Sequence, residues 1–94
     1  MLKTLENLIN IIRDRKSSSD DSSYTSKLLK NRSLSVEKVK EEIGELIEAV
    51  ENNSNKIHEA ADVLYHLLVY LEGNGVRIEA VSYTHLTLPT SDLV

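Results

Sequence analysis

The chain contains no cysteine, tryptophan or phenylalanine, and its 94 residues include one proline and three glycines. The absence of cysteine excludes disulfides, thiolate zinc sites and cysteine nucleophiles, and it fits a reducing compartment. A net charge of −4 gives no electrostatic support for nucleic-acid binding. No apolar run approaches the roughly 20 residues of a membrane span, and no basic start precedes an apolar run. We therefore expect a cytoplasmic protein without a signal peptide or membrane contact.

Apolar residues recur at helical spacing along most of the chain, which predicts an all-α fold. We expect Thr25 or Ser26 to cap the second helix and Ser35 to cap the third, because short hydroxyl side chains accept from free amides. A chain of this length forms one domain, and small helical domains often gain stability by oligomerising. The expected helices cover about 2–15, 24–30, 36–51, 56–72 and 76–81.

The third and fourth helices are joined by the short polar turn Asn52 to Asn55, which predicts an antiparallel helical hairpin. The fourth helix is apolar almost all round, so we expect it to be central and buried on several sides. The run from Gly73 to Gly75 is a typical helix stop. Helical periodicity is lost after Val81, where the chain is rich in threonine and contains Pro89.

Five carboxylates are the most informative residues of this hairpin. Glu42-x-x-Glu45, with Glu41 beside it, and Glu59-x-x-Asp62 each place acids one turn apart on a helix face. Taken alone, the acids on the third helix would usually be a solvated face. Two acids on the apolar fourth helix are hard to explain structurally, because burying like charges is costly without a cation. A hard divalent ion such as Mg²⁺ suits an all-oxygen site, so the pattern predicts a phosphate-processing metal site.

Several basic and polar residues have both a functional and a structural interpretation. Lys38 either contacts phosphate or forms an ion pair with Glu42 one turn away. Basic residues at helix ends either bind phosphate or complement the helix dipole. Tyr24 and Thr25 either contact substrate or simply begin a short helix. We expect His66 to be a hydrogen-bonded residue of the core or a neighbour of the acids rather than a ligand, and we assign no role to His58.

Four segments of the sequence resemble the phosphoribosyl-ATP pyrophosphatase family, over roughly residues 2–81. The Glu-x-x-Glu and Glu-x-x-Asp pattern is shared with the wider MazG-like all-α nucleotide pyrophosphohydrolase superfamily. The segments SYTSKLL and EAADVLYHLLV narrow the resemblance from this superfamily to the family. The segments, in the family's order and spacing, are Arg15-Lys16, SYTSKLL at 23–29, KVKEE at 38–42 and EAADVLYHLLV at 59–69.

The resemblance implies hydrolysis of phosphoribosyl-ATP to phosphoribosyl-AMP and pyrophosphate with Mg²⁺, the second step of histidine biosynthesis. It also implies a homodimer in which helical hairpins pack into a four-helix-bundle-type core. The implied metal ligands are Glu42, Glu45, Glu59 and Asp62. The implied catalytic acids are Glu41, Glu42 and Glu45, with Glu41 or Glu45 as proton acceptor. The implied substrate contacts are Arg15, Lys16, Tyr24, Thr25, Lys27 and Lys38.

Two departures from the family keep alternatives open. Lys40 stands where the family often has glycine, and Gly44 replaces a small polar residue, so EEIGEL reads more like the general nucleotide pyrophosphohydrolases. A house-cleaning nucleoside triphosphate pyrophosphohydrolase is therefore the nearest alternative, and a non-catalytic helical dimerisation module is an alternative of another class. The second departure is 82–94, an irregular tail in which SYTHLTLPT resembles translated vector sequence.

Overall fold

The structure is a computed structural model that describes residues 2–20 and 22–81. All regular elements in these ranges are α-helices, as predicted. The predicted tail at 82–94 lies outside the described residues. None of the described helices combines the length and hydrophobicity needed to cross a bilayer. The helices are α1 Leu2–Ser17, α2 Tyr24–Lys30, α3 Arg32–Glu51, α4 Lys56–Gly73 and α5 Ile78–Val81.

The start of α2 differs from the prediction. Ser23, not Thr25 or Ser26, is the N-cap: its backbone is extended and its side chain accepts from the Ser26 amide at 3.0 Å. Thr25 and Ser26 were wrong as caps because both are already helical. Ser26 is fully buried, and its hydroxyl donates to the Asp20 carbonyl at 3.2 Å. The polar loop before α2 is thus tied to the helix that follows it.

The start of α3 also lies earlier than predicted. Asn31 is the N-cap, and its side-chain oxygen accepts from the Leu34 amide at 3.1 Å. The expectation that Ser35 caps this helix was therefore wrong, because an asparagine with extended backbone stands four residues before it and captures the free amide first. Ser35 lies inside the helix and is buried.

Helices α3 and α4 form the predicted antiparallel hairpin and share the most extensive packing in the structure. The turn between them places Asn53 and Asn55 in the left-handed region, at φ 52° and 54°. Asparagine tolerates this conformation better than most residues, which explains why the sequence can turn here without glycine. Helix α4 ends at Gly73, and Gly75 follows with φ 78°.

The buried core lies where α1 and α2 pack against the C-terminal half of α4. It consists of Ile9, Ile12, Leu28, Leu68 and Val69. The expectation that α4 is buried on several sides is met only in this half of the helix. Towards the turn, the hairpin exposes an apolar face on both of its helices, because nothing in the described chain covers it. The exposed apolar residues are Ile43, Ile47, Val50, Ile57 and Leu64.

A charged junction connects α1 to the C-terminal end of the hairpin helix and to α5. Arg13 donates to both carboxylate oxygens of Glu72, at 3.0 and 2.9 Å, and to those of Glu79, at 2.9 and 2.6 Å. The Glu72 carboxylate is buried. Hydrogen bonds from Arg13 lower the pKa of Glu72 and lower that of Glu79 to about 2. We call Arg13, Glu72 and Glu79 the arginine junction.

Candidate active site

Three carboxylates from the two hairpin helices meet across the α3–α4 interface. Glu42, Glu59 and Asp62 each bring one oxygen within 4.8 Å of the others. Glu42 comes from α3 and is only 7% exposed, while Glu59 and Asp62 come from α4 and are half-buried. The helical spacing put these acids on facing edges, and the short turn sets the two helices side by side. The predicted meeting of the acids is confirmed, and we call these three residues the acidic cluster.

A second group of carboxylates shares Glu42. Glu41, Glu42 and Glu45 also bring one oxygen each within 4.8 Å of one another, but Glu41 and Glu45 are exposed. The negative charge of Glu42, followed by burial and the charge of Glu59, raises the pKa of Glu45. The four predicted metal ligands thus fall in two groups joined at Glu42: Glu59 and Asp62 lie in one, and Glu45 lies in the other.

The acidic cluster contains carboxylate oxygens without partners. Oε2 of Glu42 and Oε1 of Glu59 are buried and accept no hydrogen bond. A buried acceptor left unpaired costs about 1–3 kcal/mol, and more when it is charged. A bound dication would remove this cost, and hard oxygen ligands are those that Mg²⁺ prefers. The residues present therefore fit the metal that the sequence pattern predicts.

Lys38 lies beside this site and contacts a different acid from the one expected. Its Nζ lies 3.2 Å from Oε2 of Glu41, so the ion pair with Glu42, the structural alternative to a phosphate contact, gives way to one with Glu41. The geometry on α3 favours the partner three residues on, and this hydrogen bond raises the pKa of Lys38. Lys38 is half-buried and lies close enough to Tyr24 to affect the pKa of its hydroxyl. The positive charge of Lys38 thus acts on both an exposed acid and the start of α2.

The start of α2 packs its polar side chains against α4 next to the acidic cluster. The Tyr24 hydroxyl lies 3.0 Å from Nε2 of His66, and the Thr25 hydroxyl lies 2.5 Å from the Tyr65 hydroxyl. His66 is buried, and its Nδ1 lies 2.9 Å from the carbonyl oxygen of Asp62. His66 is thus buried and hydrogen-bonded, as predicted. Tyr24 and Thr25 begin a helix and also border the site.

The remaining residues predicted to bind substrate are basic, and they take no part in the contacts described so far. Arg15 pairs with Asp14 at 3.2 Å, and the Lys16 ammonium donates to the Glu72 carbonyl at 2.7 Å. Lys27 is exposed in the last turn of α2. Arg15 thus bonds to Asp14, and Lys16 bonds to the backbone of Glu72 in the arginine junction. Neither of these bonds is made to the acidic cluster. Their substrate-binding roles stay predictions.

Sequence reasoning overlooked one neighbour of the site. His58 lies on α4 one turn before Asp62, and its Nε2 is 3.4 Å from the Asp62 carboxylate. The four-residue spacing was the signal that would have found it. On the turn side, a cleft of about 220 Å³ opens next to the acids. Its walls are Glu45, Glu48, Ala49, Asn52, Ser54, Asn55 and Glu59.

Comparison with known proteins connects this geometry to a family. A family model described as phosphoribosyl-ATP pyrophosphohydrolase matches residues 5–84, which include every acid of the two carboxylate groups. The chain belongs to this family. The all-α hairpin and the paired acids that the sequence predicted are therefore features of a phosphoribosyl-ATP pyrophosphohydrolase family member.

Curated relatives agree with this membership. A phosphoribosyl-ATP pyrophosphatase of Methanosarcina acetivorans is 40% identical, over 86% of this chain and 83% of its own length. One of Halobacterium salinarum is 38% identical over 86% of this chain and 92% of its own length. Phosphoribosyl-ATP pyrophosphatase 1 of Rhodopseudomonas palustris is 44% identical over 83% and 76%. No solved structure gave a significant match.

Proposed function

We propose that this chain hydrolyses phosphoribosyl-ATP to phosphoribosyl-AMP and pyrophosphate, the second step of histidine biosynthesis. Family membership and the names of the curated relatives support this reaction. The proposal depends most on the buried, unpartnered carboxylate oxygens of Glu42 and Glu59, two acids that the hairpin brings together. A non-catalytic helical module would have no use for such costly groups.

The acidic cluster would hold Mg²⁺ through Glu42, Glu59 and Asp62, with Glu45 joining through its contact with Glu42. When bound, the ion would neutralise phosphate charge and lower the pKa of a coordinated water. Glu42 and Glu59 offer their unpartnered oxygens for this purpose, so binding needs no hydrogen bond to be broken. The metal could replace His58 as the partner of Asp62, since both side chains reach solvent.

The residues around the cluster have roles that follow from their exposure and charge. Glu41 and Glu45 are exposed carboxylates within reach of Glu42, and one of them accepts the proton of the attacking water. The charge of Glu42 raises the pKa of Glu45, which favours proton uptake there. Lys38 supplies positive charge for the polyphosphate, releasing Glu41 as the substrate binds. Because the substrate is a multiply charged nucleotide that does not cross membranes, we place the activity in the cytoplasm.

The test is pyrophosphate release from phosphoribosyl-ATP, measured with and without Mg²⁺ in the wild type and in Glu42→Gln. We expect release only with Mg²⁺ and a loss of roughly a hundredfold or more in the variant, because a metal ligand is removed. Glu37→Gln is the matched control, since Glu37 is an exposed acid on the same helix outside both carboxylate groups. Equal turnover in Glu42→Gln, or faster turnover of plain deoxynucleoside triphosphates, would contradict the proposal.

The proposal extends to a homodimer formed through the apolar face of the hairpin. Ile47, Ile57 and Leu64 are 55%, 89% and 52% exposed, which is unusual for large apolar side chains on neighbouring helices. A second hairpin laid on this face would complete a four-helix core. Light scattering should give twice the chain mass, and Leu64→Asp should give a monomer. Glu37→Lys, at an exposed position on another side of α3, is the control that should stay dimeric. A monomeric wild type would refute this extension.

A further inference from the structure

A chain of two hydrogen bonds connects the start of α2 to the backbone of a predicted metal ligand. Nδ1 of His66 lies 2.9 Å from the carbonyl oxygen of Asp62, and Nε2 of His66 lies 3.0 Å from the Tyr24 hydroxyl. A carbonyl oxygen can only accept, so Nδ1 carries the proton. In a neutral imidazole the other nitrogen is then an acceptor. The Tyr24 hydroxyl therefore donates its single proton to His66.

Aromatic packing holds this arrangement in place. The rings of Tyr65 and His66 meet edge to face, with centroids 5.0 Å apart, and Tyr24 lies edge-on to His66 at 5.9 Å. The Tyr65 hydroxyl is fixed in turn by the Thr25 hydroxyl at 2.5 Å. His66 is 7% exposed, so its orientation is set by the protein rather than by solvent. The imidazole has little freedom to turn away from Tyr24.

The hydroxyl of Tyr24 is consequently an acceptor towards the site. Tyr24 is 47% exposed, so a ligand bound at the site can reach part of its side chain. Partial burial raises the pKa of the Tyr24 hydroxyl, and the opposing charge of Lys38 does not cancel this effect. The group thus stays protonated at neutral pH and keeps its bond to His66. A phosphate oxygen, itself an acceptor, is a poor partner for it.

We infer that His66 is a positioning residue that fixes the Tyr24 hydroxyl as the acceptor for a ribose hydroxyl of the substrate. The inference rests on the proposed function, because phosphoribosyl-ATP offers hydroxyl donors on its sugars and only acceptors on its ionised phosphates. Tyr24 therefore contacts a sugar rather than a phosphate, whereas the acids and Lys38 act on the phosphates. His66 acts through Tyr24 and does not touch the reacting atoms.

Two substitutions of His66 separate its two hydrogen bonds. His66→Asn keeps a donor near the Nδ1 position but does not reach Tyr24, whereas His66→Gln places an amide oxygen near the Nε2 position. We expect His66→Asn and Tyr24→Phe each to raise KM for phosphoribosyl-ATP by roughly three- to tenfold, the value of one hydrogen bond, with kcat nearly unchanged. The double variant should be no worse than either single variant, and His66→Gln should restore KM.

The matched control is Tyr70→Phe, which removes a hydroxyl from the same helix, because in the described residues this hydroxyl makes no hydrogen bond to Tyr24 or His66. Circular dichroism melting verifies that each variant folds. Additive effects of Tyr24→Phe and His66→Asn, or a His66→Gln variant as impaired as His66→Asn, would overturn the inference. Equal KM values in the wild type, Tyr24→Phe and His66→Asn would overturn it too.

Product inhibition distinguishes a sugar contact from a phosphate contact. Pyrophosphate has no sugar, whereas phosphoribosyl-AMP has ribose hydroxyls. We expect Tyr24→Phe and His66→Asn to weaken inhibition by phosphoribosyl-AMP and to leave inhibition by pyrophosphate unchanged. Weaker inhibition by both products would mean that Tyr24 contacts phosphate, and the inference would be wrong.

A readout without substrate separates this inference from the proposed function. Long-range ¹H–¹⁵N spectra of the labelled wild type should show His66 as the Nδ1–H tautomer, assigned by loss of its signals in His66→Gln. An Nε2–H tautomer would overturn the inference even in a fully active enzyme. An Nδ1–H tautomer in a protein that releases no pyrophosphate would refute the proposed function and the sugar contact, and would retain only the hydrogen-bonded pair.

Discussion

The molecule treats carboxylates in two opposite ways. In the arginine junction, Glu72 and Glu79 share the guanidinium of Arg13, and their pKa values are lowered. In the acidic cluster, Glu42 and Glu59 face each other with buried oxygens that no group of the described chain satisfies. The neighbouring Glu45 has a raised pKa because Glu42 repels its charge.

The difference separates acids whose charge is neutralised within the chain from acids whose charge is not. Charges neutralised inside the chain stabilise the contact between α1, α4 and α5. Charges left without a counterpart cost folding free energy, and a bound cation would offset this cost. The two regions also differ in the sequence separation of their residues. Arg13 and Glu72 are 59 positions apart, whereas the acidic cluster lies within one hairpin.

Removing an acid from the acidic cluster should have the greatest effect on activity. In Glu59→Gln, pyrophosphate release should fall by roughly a hundredfold or more, since a ligand of the metal site is lost. The metal-free variant should unfold at the same urea concentration as the wild type or a higher one, because repulsion with Glu42 and Asp62 is relieved. Marked destabilisation without metal would show that these acids support the fold, and the contrast between the two regions would disappear.

Removing an acid from the arginine junction should reverse this pattern. Glu72→Gln leaves Arg13 without its buried partner, so the free energy of unfolding should fall by about 2 kcal/mol, measured by urea titration. Pyrophosphate release per folded molecule should stay close to that of the wild type. Glu79→Gln, at an exposed position, should cost less. A large loss of activity in folded Glu72→Gln would connect the junction to the site.

Magnesium should stabilise one region's variants and not the other's. At ten times its dissociation constant, Mg²⁺ should add about 1.4 kcal/mol to the unfolding free energy of the wild type, because it binds the folded state. Glu72→Gln should show the same gain, and Glu59→Gln should show almost none. Thermal melts with and without Mg²⁺ measure this gain, and samples treated with a chelator to remove divalent ions provide the baseline. An undiminished gain in Glu59→Gln would place the ion elsewhere.

Acid should weaken the arginine junction by a smaller amount. The pKa of Glu79 is about 2 in the folded protein against an ordinary value of 4.5, so the unfolded state binds more protons between these values. The contribution of Glu79 to the unfolding free energy should therefore be fully present above about pH 4.5 and should be lost as the pH falls towards 2. Urea titrations across this window should show a shallower dependence in Glu79→Gln. An unchanged slope would mean that Glu79 is unpaired in solution.

How much the sequence could predict depended on the range of the interaction. The hairpin and the meeting of Glu42, Glu59 and Asp62 followed from helical spacing and a short turn, both local features. The caps were missed because Ser23, Thr25 and Ser26 have equivalent chemistry, and only the backbone conformation chooses among them.

The arginine junction was missed for another reason. No periodic pattern joins Arg13 to Glu72, and only the packing of α1 against α4 brings them together. The Tyr24 contact with His66, across 42 positions, is hidden in the same way. The metal, the dimer and the substrate contacts stay predictions, because each involves a second molecule whose contacts leave only partial traces in one chain.

Glu42 is the one side chain common to both carboxylate groups. A substitution of Glu45 leaves the acidic cluster intact, and a substitution of Asp62 leaves the group of Glu41, Glu42 and Glu45 intact. A substitution of Glu42 disrupts both groups at once. In a library that varies all five acids independently, position 42 should therefore accept the fewest replacements, and even aspartate, one methylene shorter, should be selected against there.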